Sequence, residues 1–283
     1  EYTFPREAVV RQFALSFPIE IRYRLLRDSK LLKKVHQRFI ETIQSFYRKR
    51  AKKMDIEDGK TGAVTFVQRF GSAVNATPHF HVANIDGVYS KPNPGTLLFT
   101  PMPEPTEAEI EALTETIAKR IIKLLCKEGV IRDDSIVNDN DDPTVMQQLL
   151  MGSVNQITAI GPERGRRVKR LLEDPPESIY ESKLCYSYRG FSLHAARSIP
   201  AGHTEELKNF LRYCTRPPIA ERSLWEYSEN KFWLKLKARW SDGTSHLEFS
   251  AHQLIERLIS VIPPPRKNQI IYTGVLGARA KDR

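Results

Sequence analysis

Two histidines separated by one residue, His79 and His81 in "ATPHFHVANIDGVY", are the residues best placed to do chemistry. On a strand, side chains alternate between faces, so both imidazoles leave the same side while Phe80 between them points into a core. Two neutral imidazoles on one face can share a divalent ion, which needs a third ligand. The pair alone does not choose between a hydrolytic zinc and a magnesium or manganese that organises a phosphate. An HxH pair also occurs incidentally on exposed strands. The phosphate reading requires a nucleophile, and among ten tyrosines Tyr213 stands out because Arg212 and Arg216 flank it near the end of a helical segment. A phenol titrates near about 10 and attacks poorly until a cation or base assists it.

The elements that must position these groups can be read from periodicity. "VVRQFALSFP" mixes β-branched and aromatic residues and predicts a strand ending at Pro18. In "DSKLLKKVHQRFIETIQSFYRKRAKKM", Leu32, Val35, Phe39, Ile43 and Phe46 recur at helical spacing, and the helix closes on a basic run that suits its dipole. "GAVTFVQRFGSAVN" reads as a second helix, with Val64, Val67, Phe70 and Val74 on one stripe. Pro78 then marks the start of the histidine strand. "VANIDGVY" and "GTLLFTPMP" form an antiparallel pair across "SKPNP". "TEAE" is a capping box for a long helix that Gly129 terminates.

Beyond a polar loop with acidic residues at 139–142, "ERGRRVKR" supplies a basic patch, Arg166, Arg167, Lys169 and Arg170, suited to a groove. "KLCYSYRGFSLHAARSIP" predicts two strands around Arg189-Gly190, and "HTEELKNFLRYCTRPP" a helix that carries Tyr213. "FWLKLKARWSDGTSHLEF" predicts a hairpin turning at Asp242-Gly243, with His246 outside the site. "SAHQLIERLISVIPPP" is an amphipathic helix and "NQIIYTGVL" a last strand. The interleaving of helices with antiparallel pairs gives α+β as the fold class.

Composition narrows the partner. The formal net charge is +10 over 283 residues, with a pI near 9.5, which favours a polyanion and nucleic acid first. No apolar run approaches the length of a membrane span and no secretory leader stands at the start, so a cytoplasmic location is expected. Cys126, Cys185 and Cys214 form no CxxC pair and read as ordinary thiols.

Four ordered blocks resemble a known family: "TGAVTFVQRFGSAVNATPHFHVANIDGVY", "GFSLHAARSI", "LKNFLRYCTRPPIAERSL" and "RWSDGTSHLEFSAHQLIERLISVIPPPR…YTGVLG". They are similar to rolling-circle insertion-sequence transposases of the common-region type and their two-tyrosine relatives, which are HUH endonucleases. The likeness runs through residues 10–277, and His79-Phe80-His81 stands as the HUH motif. It implies a ferredoxin-like antiparallel sheet flanked by helices, with further helical and hairpin elements. It also implies a divalent metal, Mg²⁺ or Mn²⁺, single-stranded DNA at transposon ends and target as partner, and a 5′-phosphotyrosine intermediate that leaves a free 3′-OH.

Carried over by residue, His79 and His81 become metal ligands and Tyr213 the nucleophile. His194 is the expected third ligand, with Gln68 as the alternative. Arg212, Arg216 and the basic patch become DNA contacts. Two-tyrosine relatives carry another tyrosine where this sequence has Asn209, so the single-tyrosine branch is the nearer likeness. Residues 1–60 are expected to supply a strand and a basic helix, and residues 61–283 the catalytic domain, with the first strand able to join its sheet. The location implied is the bacterial cytoplasm, at the nucleoid. Relatives commonly carry a cysteine-rich zinc region, which no CxxC provides here, so end recognition is expected to be incomplete in this chain. Phe232, Trp233 and Trp240 could stack unpaired bases or simply pack a sheet. A relaxase or replication initiator, a metal-dependent hydrolase and a non-catalytic DNA-binding relic are the competing readings.

Overall fold

In chain order the elements begin with β1 (Val10–Ser16), α1 (Ile19–Arg27), α2 (Ser29–Lys52), β2 (Gly62–Phe70), β3 (Ala76–Ile85), β4 (Gly87–Asn93) and β5 (Thr96–Pro101). They continue with α3 (Glu107–Lys127), β6 (Ile131–Arg132), β7 (Ser135–Ile136), α4 (Val145–Val154), β8 (Lys169–Leu172), β9 (Cys185–Tyr188), β10 (Phe191–His194) and β11 (Ser198–Ile199). The last are α5 (Thr204–Cys214), β12 (Leu224–Ser228), β13 (Lys231–Lys235), β14 (Thr244–Ser250), α6 (Ala251–Val261) and β15 (Ile270–Gly274). These come from a computed structural model that describes residues 4–5, 7–93, 96–132, 135–136, 142–173 and 183–280. Residues 139–141 of the acidic loop lie outside the described residues. The fold is α+β, and no described helix is long and apolar enough to cross a membrane.

The larger sheet runs β15-β2-β3-β1-β10-β9, antiparallel throughout, with β11 also on β1. Its centre has the split β-α-β order: α2 links β1 to β2, α3 links β3 to β10, and β1 lies between β3 and β10. Residues 1–60 thus contribute a central strand. On one face Phe13, Leu15, Phe80, Val82 and Leu193 pack against Phe39 and Ile43 of α2 and Ile117 and Ile121 of α3. Thr106 and Glu109 close the capping box that starts α3, and Gly129 takes a positive φ of 70° just after its end. On the opposite face Val10, Val64, Phe66, Ala83 and Ile85 pack against Phe210 and Cys214 of α5. His79 and His81 have the parity of Ala83 and Ile85, so they belong to the α5 face.

Burial of both faces explains the main departure from expectation. The segment expected as a helix, "GAVTFVQRFGSAVN", is strand β2 followed by a turn in which Gly71 N–H donates to Asn75 O at 2.9 Å. Its first five residues are all buried, so the apolar positions lose the alternation of a half-exposed strand and match helical spacing by coincidence. Pro78 also lies inside β3, which begins at Ala76. Its missing N–H falls where the β2 register shifts between Gln68 and Phe70 and where β1 has ended at Ser16. The hairpin across "SKPNP" pairs β4 with β5, and β3 stops one residue earlier, at Ile85.

Two buried polar groups lead to stability predictions. Asp86 accepts from Arg11 Nε at 2.7 Å and from Tyr47 Oη at 2.7 Å, while Arg11 Nη1 donates to Ala195 O. Burial raises the Asp86 carboxyl and Arg11 opposes that shift. Asp86→Ala is expected to cost about 3–5 kcal/mol in urea unfolding, because it strands a buried guanidinium. His36 on α2 hydrogen-bonds Thr65 Oγ1 at 2.8 Å and meets Phe80 edge-on; burial lowers its pKa to about 4. The unfolded chain therefore binds a proton here that the folded chain refuses. Stability should fall by roughly 3 kcal/mol as pH drops from about 6.5 to 4, and His36→Gln should remove much of that acid sensitivity in a pH series of melts.

A second sheet, β12-β13-β14-β8, holds the expected hairpin. Leu234, Leu247 and Phe249 pack on Leu254 and Val261 of α6, and the β2–β3 turn plugs this core with Ala73 and Val74.

Candidate active site

Strand register fixes the histidines. His79 stands opposite Gln68 of β2 and Ser16 of β1; His81 stands opposite Phe66 and Ala14. Their rings lie 4.9 Å apart, near perpendicular. His79 Nδ1 is 2.9 Å from Thr77 O, and since a carbonyl only accepts, Nδ1 carries the proton and Nε2 keeps its lone pair. His81 Nδ1 is 3.0 Å from the Gln12 side-chain amide on β1. Burial lowers both imidazole pKa values, His81 to about 3 with help from His79 and Arg216, so both rings are neutral at physiological pH. Gln68 Nε2 donates to Cys214 O at 2.7 Å, which leaves Gln68 Oε1 buried without a partner.

α5 brings the nucleophile candidate. Its acidic first turn, Glu205 and Glu206, suits the positive end of the helix dipole, and Phe210 and Cys214 anchor it to the sheet. Tyr213, one residue from that anchor, is half-buried with its ring 5.6 Å from that of His81. Arg216 sits with its guanidinium carbon 4.7 Å from the Tyr213 ring centre, and Lys237 Nζ is 4.4 Å from it. Arg216 Nε is buried and unpartnered. Burial first, and then crowding by Arg216 and Arg197, lowers the Lys237 ammonium. An anion would relieve that crowding. Beside Gln68 and Arg216 a largely apolar cleft of about 500 Å³ opens towards Leu258 and Val261.

The structure therefore brings together His79, His81, Gln68, Tyr213 and Arg216. His194 shares their sheet face, yet it pairs with Ala14 on the side of β1 away from His81, and its Nε2 lies 3.2 Å from Cys185 Sγ. Arg212 is exposed and donates to Asn209 Oδ1 at 3.3 Å. The basic patch leads into β8 on the second sheet, where Arg166, Lys169 and Arg170 pair with Glu163, Glu248 and Asp242. Among the described residues no three His, Cys, Asp or Glu side chains gather to hold a metal. The sequence reading missed Gln12 and Lys237. Gln12 had a signal, as a polar residue on the strand face opposite the one that Phe13 and Leu15 bury; Lys237 follows its strand and had none.

The antiparallel sheet thus presents paired imidazoles to a cation-flanked tyrosine. The family model described as Y2_Tnp, Putative transposase, matches residues 62–283, and the chain belongs to that family. It is thus a transposase-family protein, a DNA-processing enzyme by class, and DNA is the polyanion its charge anticipates. No curated protein and no solved structure matches the chain.

Proposed function

We propose that this chain nicks and rejoins single-stranded DNA at transposon ends, in rolling-circle transposition, through a 5′-phosphotyrosine on Tyr213. The observation that carries the reading is the approach of Tyr213 to His81, across 5.6 Å between rings, by elements from opposite halves of the chain. Tyr213 Oη bonds to the scissile phosphorus as the bond from phosphorus to the 3′ oxygen breaks. The phenolic proton is lost to water and the departing 3′ oxygen gains one. Attack by a 3′-OH on the phosphotyrosine reverses these steps and rejoins a strand without ATP. Arg216 and Lys237, both over the Tyr213 ring, hold the phosphate charge in place.

The residues present fit a divalent ion. His79 Nε2 has its lone pair free, His81 adds an imidazole that stays neutral, and Gln68 Oε1 is a buried oxygen donor with no other partner. Two nitrogens and one amide oxygen leave coordination positions open for phosphate and water, which suits Mn²⁺ or Mg²⁺. When bound, such an ion would polarise the scissile phosphate. Gln68 is proposed as the third ligand in place of His194. Gln12 Nε2 lies against His81 Nδ1 at 3.0 Å, and with the amide turned so that its Oε1 accepts from Nδ1–H, His81 Nε2 would keep its lone pair for the ion.

The test is a denaturing gel of the protein with labelled single-stranded DNA from the element's ends, with Mg²⁺ or Mn²⁺. A covalent band that requires the ion is the expected result. Absence of any band with authentic end sequences would overturn the reading in favour of a DNA-binding relic.

A further inference from the structure

Among the described residues, the second sheet has one face on α6 and the other uncovered. On the bare face Trp225 of β12 and Trp233 of β13 are directly opposite in register, and Trp225 is 41% exposed. His246 of β14 stands edge-on to both, at 5.7 Å from Trp225 and 6.3 Å from Trp233. Tyr227, 43% exposed, tilts over Trp233 at 5.2 Å. Four rings from three strands thus make one aromatic surface. Phe232 and Trp240, expected with Trp233 as base-stacking residues, take the other role: both pack against the α6 core, and Trp240 lies under the Arg170 guanidinium at 4.9 Å.

Clustered exposed aromatic rings in a soluble chain mark a binding surface. Three features select the occupant. Lys231 and Lys235 of β13 are exposed beside the rings, and Lys169 of β8 lies across from Trp233 beyond Glu248, with which it pairs. Glu173, near His246, is already engaged by Arg239. Cations around unpaired ring faces complement a chain of phosphates and bases, whereas a duplex keeps its base faces stacked inside. Finally, β13 continues directly to Lys237, whose ammonium touches the Tyr213 ring, so a strand lying on this face is led towards the nucleophile.

We infer that Trp225, Tyr227, Trp233 and His246 form a stacking platform for unpaired nucleotides of single-stranded DNA next to the cleavage site. This rests on the strand-nicking reading for its substrate. The probe is fluorescein-labelled dT20 against a 20-base-pair duplex, read by anisotropy and tryptophan quenching with the full chain. Trp225→Ala and Trp233→Ala are each expected to weaken dT20 binding about tenfold or more, with duplex affinity and thermal melting unchanged. Trp225→Phe should recover most of the loss. Wild-type affinity for dT20 in both alanine variants would overturn the platform while the covalent adduct, formed as before, left the nicking reading standing. Equal loss for dT20 and duplex would also overturn it, showing only a general electrostatic surface. Failure of the unaltered chain to bind dT20 would overturn the platform, while the nicking reading stands or falls by the adduct with authentic end sequences.

Discussion

Tyr213→Phe is expected to abolish the covalent protein–DNA adduct, with strand cleavage falling by at least about three orders of magnitude, as for loss of a nucleophile elsewhere. The substitution deletes one oxygen and keeps the ring. The ring's apolar contacts against the α5 face of the sheet, its edge-on approach to His81 and the positions of Arg216 and Lys237 over it should all survive. Affinity for single-stranded DNA should therefore change less than about threefold by anisotropy, and the melting temperature should stay close to that of the unaltered chain. An adduct that persists in the phenylalanine variant would move the nucleophile to another tyrosine. Asn209, one helical turn before Tyr213, is not available for that role, and its side chain instead accepts from Arg212.

His81→Ala is expected to be nearly as severe. Removing one of the three proposed ligands should weaken Mn²⁺ binding by about a hundredfold or more in titration calorimetry, and the adduct should vanish at moderate metal concentration. Three companions sharpen the test. Gln68→Ala should weaken binding about ten- to hundredfold. Gln68→Glu should strengthen it by adding charge at the same place. His194→Ala should leave it within about twofold, because its ring sits across β1 against Cys185. Burial disfavours protonation of His81 and brings its pKa to about 3. Proton competition at this ligand is therefore absent between pH 8 and about 5, and a binding curve that fell with a midpoint near 6.5 would contradict the buried-ligand geometry.

Much of the local structure was legible because local rules govern it. The Thr106–Glu109 capping box, the Gly129 stop and the alternation that aims Phe80 inward depend on residues within a turn or two of one another. So does the placement of Tyr213 late in a helix whose other face is apolar. The exception, β2, failed for a tertiary reason: a strand covered on both faces by α2 and α5 has no exposed side to keep polar, and its pattern ceases to identify it.

By itself the sequence determined the histidine pair, the tyrosine with its neighbouring arginine, the basic charge and the α+β class. Each is a matter of composition or short spacing. Only the tertiary structure decided which groups meet. Strand register across β2 and β3 sets Gln68 against His79, and β1, inserted between β3 and β10, holds His194 off and brings Gln12 to His81. The run that follows β13 delivers Lys237 to Tyr213 from 24 positions further along the chain. Pairing of that kind is fixed by which faces bury together and by the strand order that follows, and no local spacing encodes it.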